Sequence, residues 1–149
     1  MIEVGNPFPE FALKDQDGTL WLNEKLLGKK TVIYFYPKDD TSGCTIEACE
    51  FRDLMPTLKG VQILGVSPDS EKSHQKFIGK FNLNFSLLAD IEHELADRCG
   101  IWVEKSMYGK KYMGVERTTY LLDESGTVIN VWRKVKPEGH AAEVQAAIG

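Results

Sequence analysis

The 149-residue chain predicts an α/β fold: a central mixed β-sheet flanked by helices, with an N-terminal β-hairpin. Three observations carry that expectation. Thr31-Val-Ile-Tyr-Phe-Tyr36 is an unbroken β-branched and aromatic run, as a strand buried on both faces requires. From Cys44 to Arg98, segments of helical periodicity alternate with further apolar runs, the order that builds parallel strands through right-handed crossovers. Hairpin signals stand at both ends of that stretch, which predicts a sheet that is parallel at its centre and antiparallel at one side.

The elements follow in order. Phe11-Ala-Leu13 and Leu20-Trp-Leu22 flank the turn signal Asp15-Gln-Asp-Gly18 and predict the first hairpin. From Cys44 to Leu58 the residues Cys44, Ala48, Phe51, Met55 and Leu58 recur at helical spacing on one face. Val61 to Val66 reads as the next buried strand, Ser70 to Phe81 as a helix, and Phe85 to Ala89 as a short strand. Glu92 to Arg98 reads as a helix stopped before Gly100. The basic stretch around Lys105, Lys110 and Lys111, with Gly109 and Gly114, reads as a solvated loop. Thr118 to Leu122 and Val128 to Trp132 form a second hairpin across Asp123-Glu-Ser-Gly126. Pro137 is expected to open a C-terminal helix running to about Ile148.

Composition bounds the function. Hydrophobic residues make up 42% and charged residues 27%, the balance of a globular domain, and the length favours one domain over residues 1–149. A net charge of −4 argues against nucleic acid or an anionic membrane surface as the main partner. No apolar stretch approaches the roughly 20 residues of a membrane span. Met1-Ile-Glu-Val-Gly-Asn-Pro7 has no basic segment leading into an apolar one, so no signal peptide is visible and a cytoplasmic location is expected. Three cysteines fit a reducing compartment, where thiols serve chemistry rather than stapling. His74, His93 and His140 share no ligand spacing with one another or with the cysteines, which argues against a zinc site.

The most informative pair is Cys44 and Cys49. Cys44 follows a turn-forming stretch at the end of the apolar run, where a helix begins; the helix dipole and free N–H groups there favour a thiolate. Five residues on an ideal helix put two Cα atoms roughly 8.6 Å apart, whereas a disulfide rarely spans more than about 7 Å. If both cysteines are helical, they bond only after the first turn unwinds. A permanent staple is not built this way; a bond made and broken in a cycle can be.

Pro37-x-x-x-Thr41-x-x-Cys44 lies within Tyr34-Phe-Tyr-Pro-Lys38, Gly43-Cys44-Thr45 and Ala48-Cys49. Together with Leu64-Gly-Val-Ser67, Gly100-Ile-Trp102, Glu104-Lys105 and Arg117-Thr-Thr-Tyr-Leu-Leu-Asp123, it resembles the peroxiredoxins, specifically the bacterioferritin comigratory protein or PrxQ subfamily. The likeness covers nearly the whole chain. It implies a thioredoxin-like fold of the peroxiredoxin type and reduction of hydrogen peroxide and organic hydroperoxides. Cys44 matches the peroxidatic cysteine, which becomes a sulfenic acid. Cys49 matches the resolving cysteine, and the disulfide between them would be reduced by thioredoxin or a similar dithiol protein. Arg117 matches the family arginine, and Pro37 the residue that shields the thiolate. The likeness implies no metal, haem or flavin cofactor, and a monomer.

Physical chemistry supports these roles and also offers plainer ones. Attack on an O–O bond builds charge on the leaving oxygen and needs preorganised donors. The Thr41 hydroxyl can donate and accept at once, yet Thr is also a common helix N-cap. Arg117 offers a planar fork of permanent donors. Arg52, Arg98 and Arg133 compete with it on sequence alone, Arg52 being too far along its helix to reach Cys44. Cys49 could be a packing residue, and Cys99 reads as a structural filler or a spare thiol. Trp102 reads as a core or site-wall residue. Two other function classes stay open: a dithiol–disulfide oxidoreductase acting on proteins, disfavoured by the absence of Cys-x-x-Cys, and a redox-switched sensor whose helix unwinds on oxidation.

Overall fold

A computed structural model describes residues 1–149. Ala12–Lys14 (β1) and Leu20–Leu22 (β2) pair antiparallel as the first hairpin. Lys30–Phe35 (β3) runs parallel to Val61–Ser67 (β4), which runs parallel to Ser86–Ala89 (β5). Ser42–Leu54 (α1) and Glu71–Phe81 (α2) are the crossovers between them, and the short Glu94–Arg98 helix (α3) follows. Trp102–Met107 (β6) and Lys110–Val115 (β7) form a separate two-stranded ribbon. Thr118–Leu122 (β8) pairs antiparallel with β3 and with Val128–Trp132 (β9), and His140–Ile148 (α4) ends the chain. The sheet order is therefore β5-β4-β3-β8-β9, a mixed sheet with β3 at its centre.

The unbroken apolar run of β3 is explained by two cores. Ile33 and Phe35 point to one face, where they meet Leu64, Val66, Tyr120 and the α3 residues Leu95 and Ala96. Val32, Tyr34 and Tyr36 point to the other, where α1 packs Cys44, Ala48 and Phe51, α2 packs Phe77 and α4 packs Val144. Alternation of side chains along a strand divides them this way. The two tyrosines and Phe51 stack, with Tyr34 and Phe51 ring centroids 4.7 Å apart, forming an aromatic floor beneath α1.

Three expectations are corrected. The basic stretch from 102 to 115 is not a loop but the β6–β7 ribbon, closed by Tyr108 and Gly109 with φ of 52° and 78°. Positive φ at both central residues marks a type I′ turn, usually announced by Asn-Gly or Asp-Gly rather than Tyr-Gly. The ribbon is largely exposed, so it lacks the one-sided apolar alternation of a half-buried strand. Pro137 does not open α4: the helix starts at His140 after Gly139, whose φ of 84° places it outside the helical region. α1 stops at Leu54 and gives way to a 3₁₀ turn at Met55–Thr57, because Pro56 has no N–H and its ring excludes a continued α-helix.

Candidate active site

Residues 36–41 carry the chain from β3 to α1, and a buried polar lock fixes this loop. Asp39 accepts from the Tyr36 hydroxyl at 2.6 Å and from the Ser73 hydroxyl at 2.8 Å, and pairs with His74 Nδ1 at 2.7 Å. Its own N–H donates to Asp69 at 2.8 Å, and Ser67 donates to the same Asp69 oxygen at 2.6 Å. Asp39, Asp69 and His74 thus bring three potential ligand atoms within 4.8 Å of one another. Serine, tyrosine and backbone donors already occupy those carboxylates, so the cluster reads as a lock on the loop, not as a vacant ligand set.

The loop delivers Pro37, half-buried just after the strand, and Thr41, in extended geometry at the N-cap of α1. Thr41 does not cap the helix with its side chain; its hydroxyl donates to the Lys38 carbonyl at 2.9 Å. That donation leaves the oxygen lone pairs available. Cys44 lies in the first turn of α1, 2% exposed, and packs in the same core as the aromatic floor. Gly43 precedes it for a steric reason. A Cβ there would stand 3.1 Å from Pro137 Cγ and 3.5 Å from Arg117 Nη2, so any side chain would crowd the residues that close over the helix end.

Arg117, just ahead of β8, reaches this site from 73 residues away. Its Nη2 donates to Cys44 Sγ at 3.2 Å, and its Nη1 to Glu47 Oε1 at 2.6 Å. Cys44 and Glu47 are three apart on α1 and share a face, and one guanidinium fork spans both. Burial works against the Arg117 charge, while the Glu47 and Cys44 charges sustain it. The structure brings Cys44 and Arg117 together, leaves Thr41 at the start of the same helix with its hydroxyl on the Lys38 carbonyl, and places Arg98 and Arg133 elsewhere, on the Glu10 and Ile2 carbonyls.

Glu47 went unnoticed in the sequence. It is fully buried, and its second oxygen has no hydrogen-bond partner. The available signal was a carboxylate on the helical face otherwise made of Cys44, Ala48 and Phe51, since acids are rarely buried without a partner. Burial pushes its carboxyl up from 4.5 to about 7, against the pull of Arg117. The folded protein therefore holds a proton that the unfolded chain releases, so the associated stability is complete below pH 4.5 and is lost as pH rises through about 7. Glu47→Gln is expected to remove that component, at most about 1.4 kcal/mol per pH unit. Denaturant midpoints of wild type and variant, compared from acid to neutral pH, should converge at the acid end and diverge in favour of Gln above it. Parallel curves would assign the slope to other groups.

Cys49 lies in the same uninterrupted helix as Cys44 and is half-exposed; neither is bonded. Arg52 contacts Cys49, not Cys44: Nη1 stands 3.6 Å from Cys49 Sγ. Their three-residue spacing on a helix was the signal for this pair. Cys99 is wholly buried against the opposite face of the sheet, and burial pushes its thiol up to about 12, which favours the filler over the spare thiol. Trp102 is half-buried and stacks on His93, with centroids 4.0 Å apart.

Residues 4–131 match the AhpC/TSA family. The chain is 51% identical over 145 residues to the putative peroxiredoxin bcp of Coxiella burnetii, covering 96% of each protein. It is 48% identical over 144 residues to peroxiredoxin Bcp of Bacillus subtilis, covering 95% of this chain and 92% of that one. Among solved structures it resembles the bacterioferritin comigratory protein of Xanthomonas campestris, a protein with alkyl peroxide reduction activity. That likeness has a TM-score of 0.87 at 44% identity, over 93% of this chain and 89% of the other.

Proposed function

The chain belongs to the AhpC/TSA family, among the peroxiredoxins of the Bcp or PrxQ kind with their thioredoxin-like fold, and from that premise we propose that Cys44 is its peroxidatic cysteine. Thiol peroxidase activity and an antioxidant role come with the family. The observation that carries the residue assignment is the Arg117 donor 3.2 Å from a buried Cys44 sulfur at the start of α1.

In this reading the Cys44 thiolate attacks the distal oxygen of a peroxide in line with the O–O bond. That bond breaks, Cys44 becomes a sulfenic acid, and the departing oxygen leaves as water or an alcohol after taking up a proton. Arg117 stabilises the charge at both ends of the displacement. The Thr41 hydroxyl receives the peroxide beside it, and Pro37 keeps water from the sulfur. Hydrogen peroxide and organic hydroperoxides are the substrates; the alkyl peroxide chemistry described for the Xanthomonas campestris relative supports the second.

Cys49 then resolves the sulfenic acid as an intramolecular disulfide. Both thiols sit in α1, so their Cα separation of roughly 8.6 Å must close below about 7 Å. Loss of the first helical turn achieves this while sacrificing few backbone bonds, because the early N–H groups have no partner inside the helix. Thioredoxin or a similar dithiol protein returns the disulfide to thiols. The reading takes the protein as one domain acting as a monomer in the cytoplasm; no helix is long and apolar enough to cross a membrane.

The test is the fate of Cys49→Ser. This variant should react once with peroxide and stall, and a dimedone adduct should map to Cys44 by mass. Cys99→Ser should keep most of its turnover with a thioredoxin system, since its thiol is buried and protonated. Full turnover in Cys49→Ser would move the resolving role to another thiol. Sulfenic acid formation without any turnover in the wild-type protein would favour the sensor.

A further inference from the structure

Arg52 is held more firmly than a surface arginine on a helix usually is. Besides its contact with Cys49 Sγ at 3.6 Å, Nη1 donates to the Phe81 carbonyl at 2.8 Å, and Nε donates to Asp53 at 2.9 Å. Phe81 is the last residue of α2, where carbonyls lack helical partners and the helix dipole favours a cation. The backbone carbonyl of Arg52 in turn accepts from Asn84 at 3.0 Å. The C-terminal half of α1 is thereby tied to the end of α2, and the guanidinium is aimed at Cys49.

We propose that Arg52 is a second catalytic arginine of the cycle, one that holds Cys49 as the thiolate and so sets the rate at which the Cys44 sulfenic acid is resolved. This rests on the reading of Cys49 as the resolving cysteine. Each thiol then has its own arginine: Arg117 bridges Cys44 to Glu47, and Arg52 bridges Cys49 to the end of α2. In the resolving step the Cys49 thiolate attacks the Cys44 sulfur, the S–S bond forms, and the S–O bond breaks. Hydroxide departs and is protonated to water; Cys49 is oxidised and the Cys44 sulfur reduced by the same electron pair. Only the thiolate does this efficiently, and a fixed cation beside it enlarges its share near neutral pH. The ties to Phe81 and Asn84 also give the rearrangement a direction. The first turn of α1 loosens and Cys44 travels, while Cys49 waits beside Arg52.

The experiment separates this inference from the assignment beneath it. In a Cys44→Ser background, iodoacetamide alkylation of Cys49, located by mass, is followed against pH with and without Arg52→Gln. The Arg52 side chain is 31% exposed and glutamine still reaches a carbonyl, so the fold accommodates the change. Arg52→Gln should move the alkylation profile to higher pH and slow alkylation at neutral pH about tenfold. With Cys44 intact, stopped-flow tryptophan fluorescence should show an unchanged oxidation phase and a resolving phase slowed to a similar degree. Arg52→Lys, which keeps the charge, should stay near wild type in both readouts. An Arg52→Gln profile that superimposes on wild type would overturn the inference, as would a Lys variant as impaired as Gln. If Cys49→Ser turns over normally, the underlying assignment fails instead, whatever the alkylation profile shows.

Discussion

Cys44→Ser is expected to leave a folded protein that no longer consumes peroxide. Serine replaces sulfur with a smaller oxygen at a site packed against Tyr34, Tyr36 and Ala48, so the stability change should stay within about 1 kcal/mol. The activity change should be far larger. A serine hydroxyl stays almost wholly protonated at neutral pH and cannot replace sulfur as the nucleophile, and removing a nucleophile outright lowers turnover by about a thousandfold or more. Peroxide consumption with a thioredoxin system, beside a thermal melt of the reduced protein, measures both. Turnover above a tenth of wild type in a folded variant would remove Cys44 from the nucleophilic role.

Arg117→Ala should combine a kinetic and a structural loss. The variant gives up the donor at Cys44 and leaves Glu47 buried with neither oxygen paired. Removing a preorganised donor of this kind slows chemistry by about 100- to 1,000-fold, and leaving the buried carboxyl without its hydrogen-bond partner destabilises by about 1–3 kcal/mol. The two losses can be pulled apart. Burial already lifts Glu47 to about 7 with Arg117 in place, so without the arginine its carboxyl stays protonated at neutral pH; the stability gap should widen as pH rises above 7, while the oxidation defect is already present at neutral pH. Arg117→Lys should be intermediate in rate, since a single ammonium cannot bridge sulfur and carboxylate as a fork does. Stopped-flow oxidation rates and the pH dependence of the ultraviolet thiolate absorbance provide the kinetic readout. An Arg117→Ala protein oxidised at the wild-type rate would take this arginine out of the reaction.

The sequence was most informative where burial is complete. β3 reads as a strand because every residue from Val32 to Tyr36 meets one of two cores, and α1 reads as a helix because Cys44, Ala48 and Phe51 pack on the same aromatic floor. Legibility faded where solvent replaces packing. The β6–β7 ribbon has few buried residues to impose a period, and its Tyr-Gly turn lacks the usual signal. Pro137 was read as a helix start because proline suits a first turn, yet here it packs over Gly43 and the helix begins three residues later. Within the site, Cys44, Thr41 and Pro37 lie in one motif and were found together. Arg117 needed the family likeness, since nothing local distinguishes it from other arginines until β8 pairs with β3. Glu47 and Arg52 were legible in principle from three-residue spacing along α1. Glu47 is masked because charged residues on a helix are usually solvated, and Arg52 because its reach to Cys44, not to Cys49, is what the search for a thiolate partner weighs.

The distance along the chain between Cys44 and Arg117 has a consequence for the protein before it is folded. The two residues are 73 positions apart, and they meet only when β8 closes antiparallel onto β3. A nascent chain still lacking β8 therefore carries an ordinary cysteine, without its guanidinium partner. Contacts of such long sequence separation form late, after the entropy of closing the intervening loop has been overcome. On the proposed assignment, fast reaction with peroxide is therefore expected only of chains that have closed β8 onto β3, and the rate of sulfenic acid formation should track the fraction of a preparation that has completed its tertiary structure.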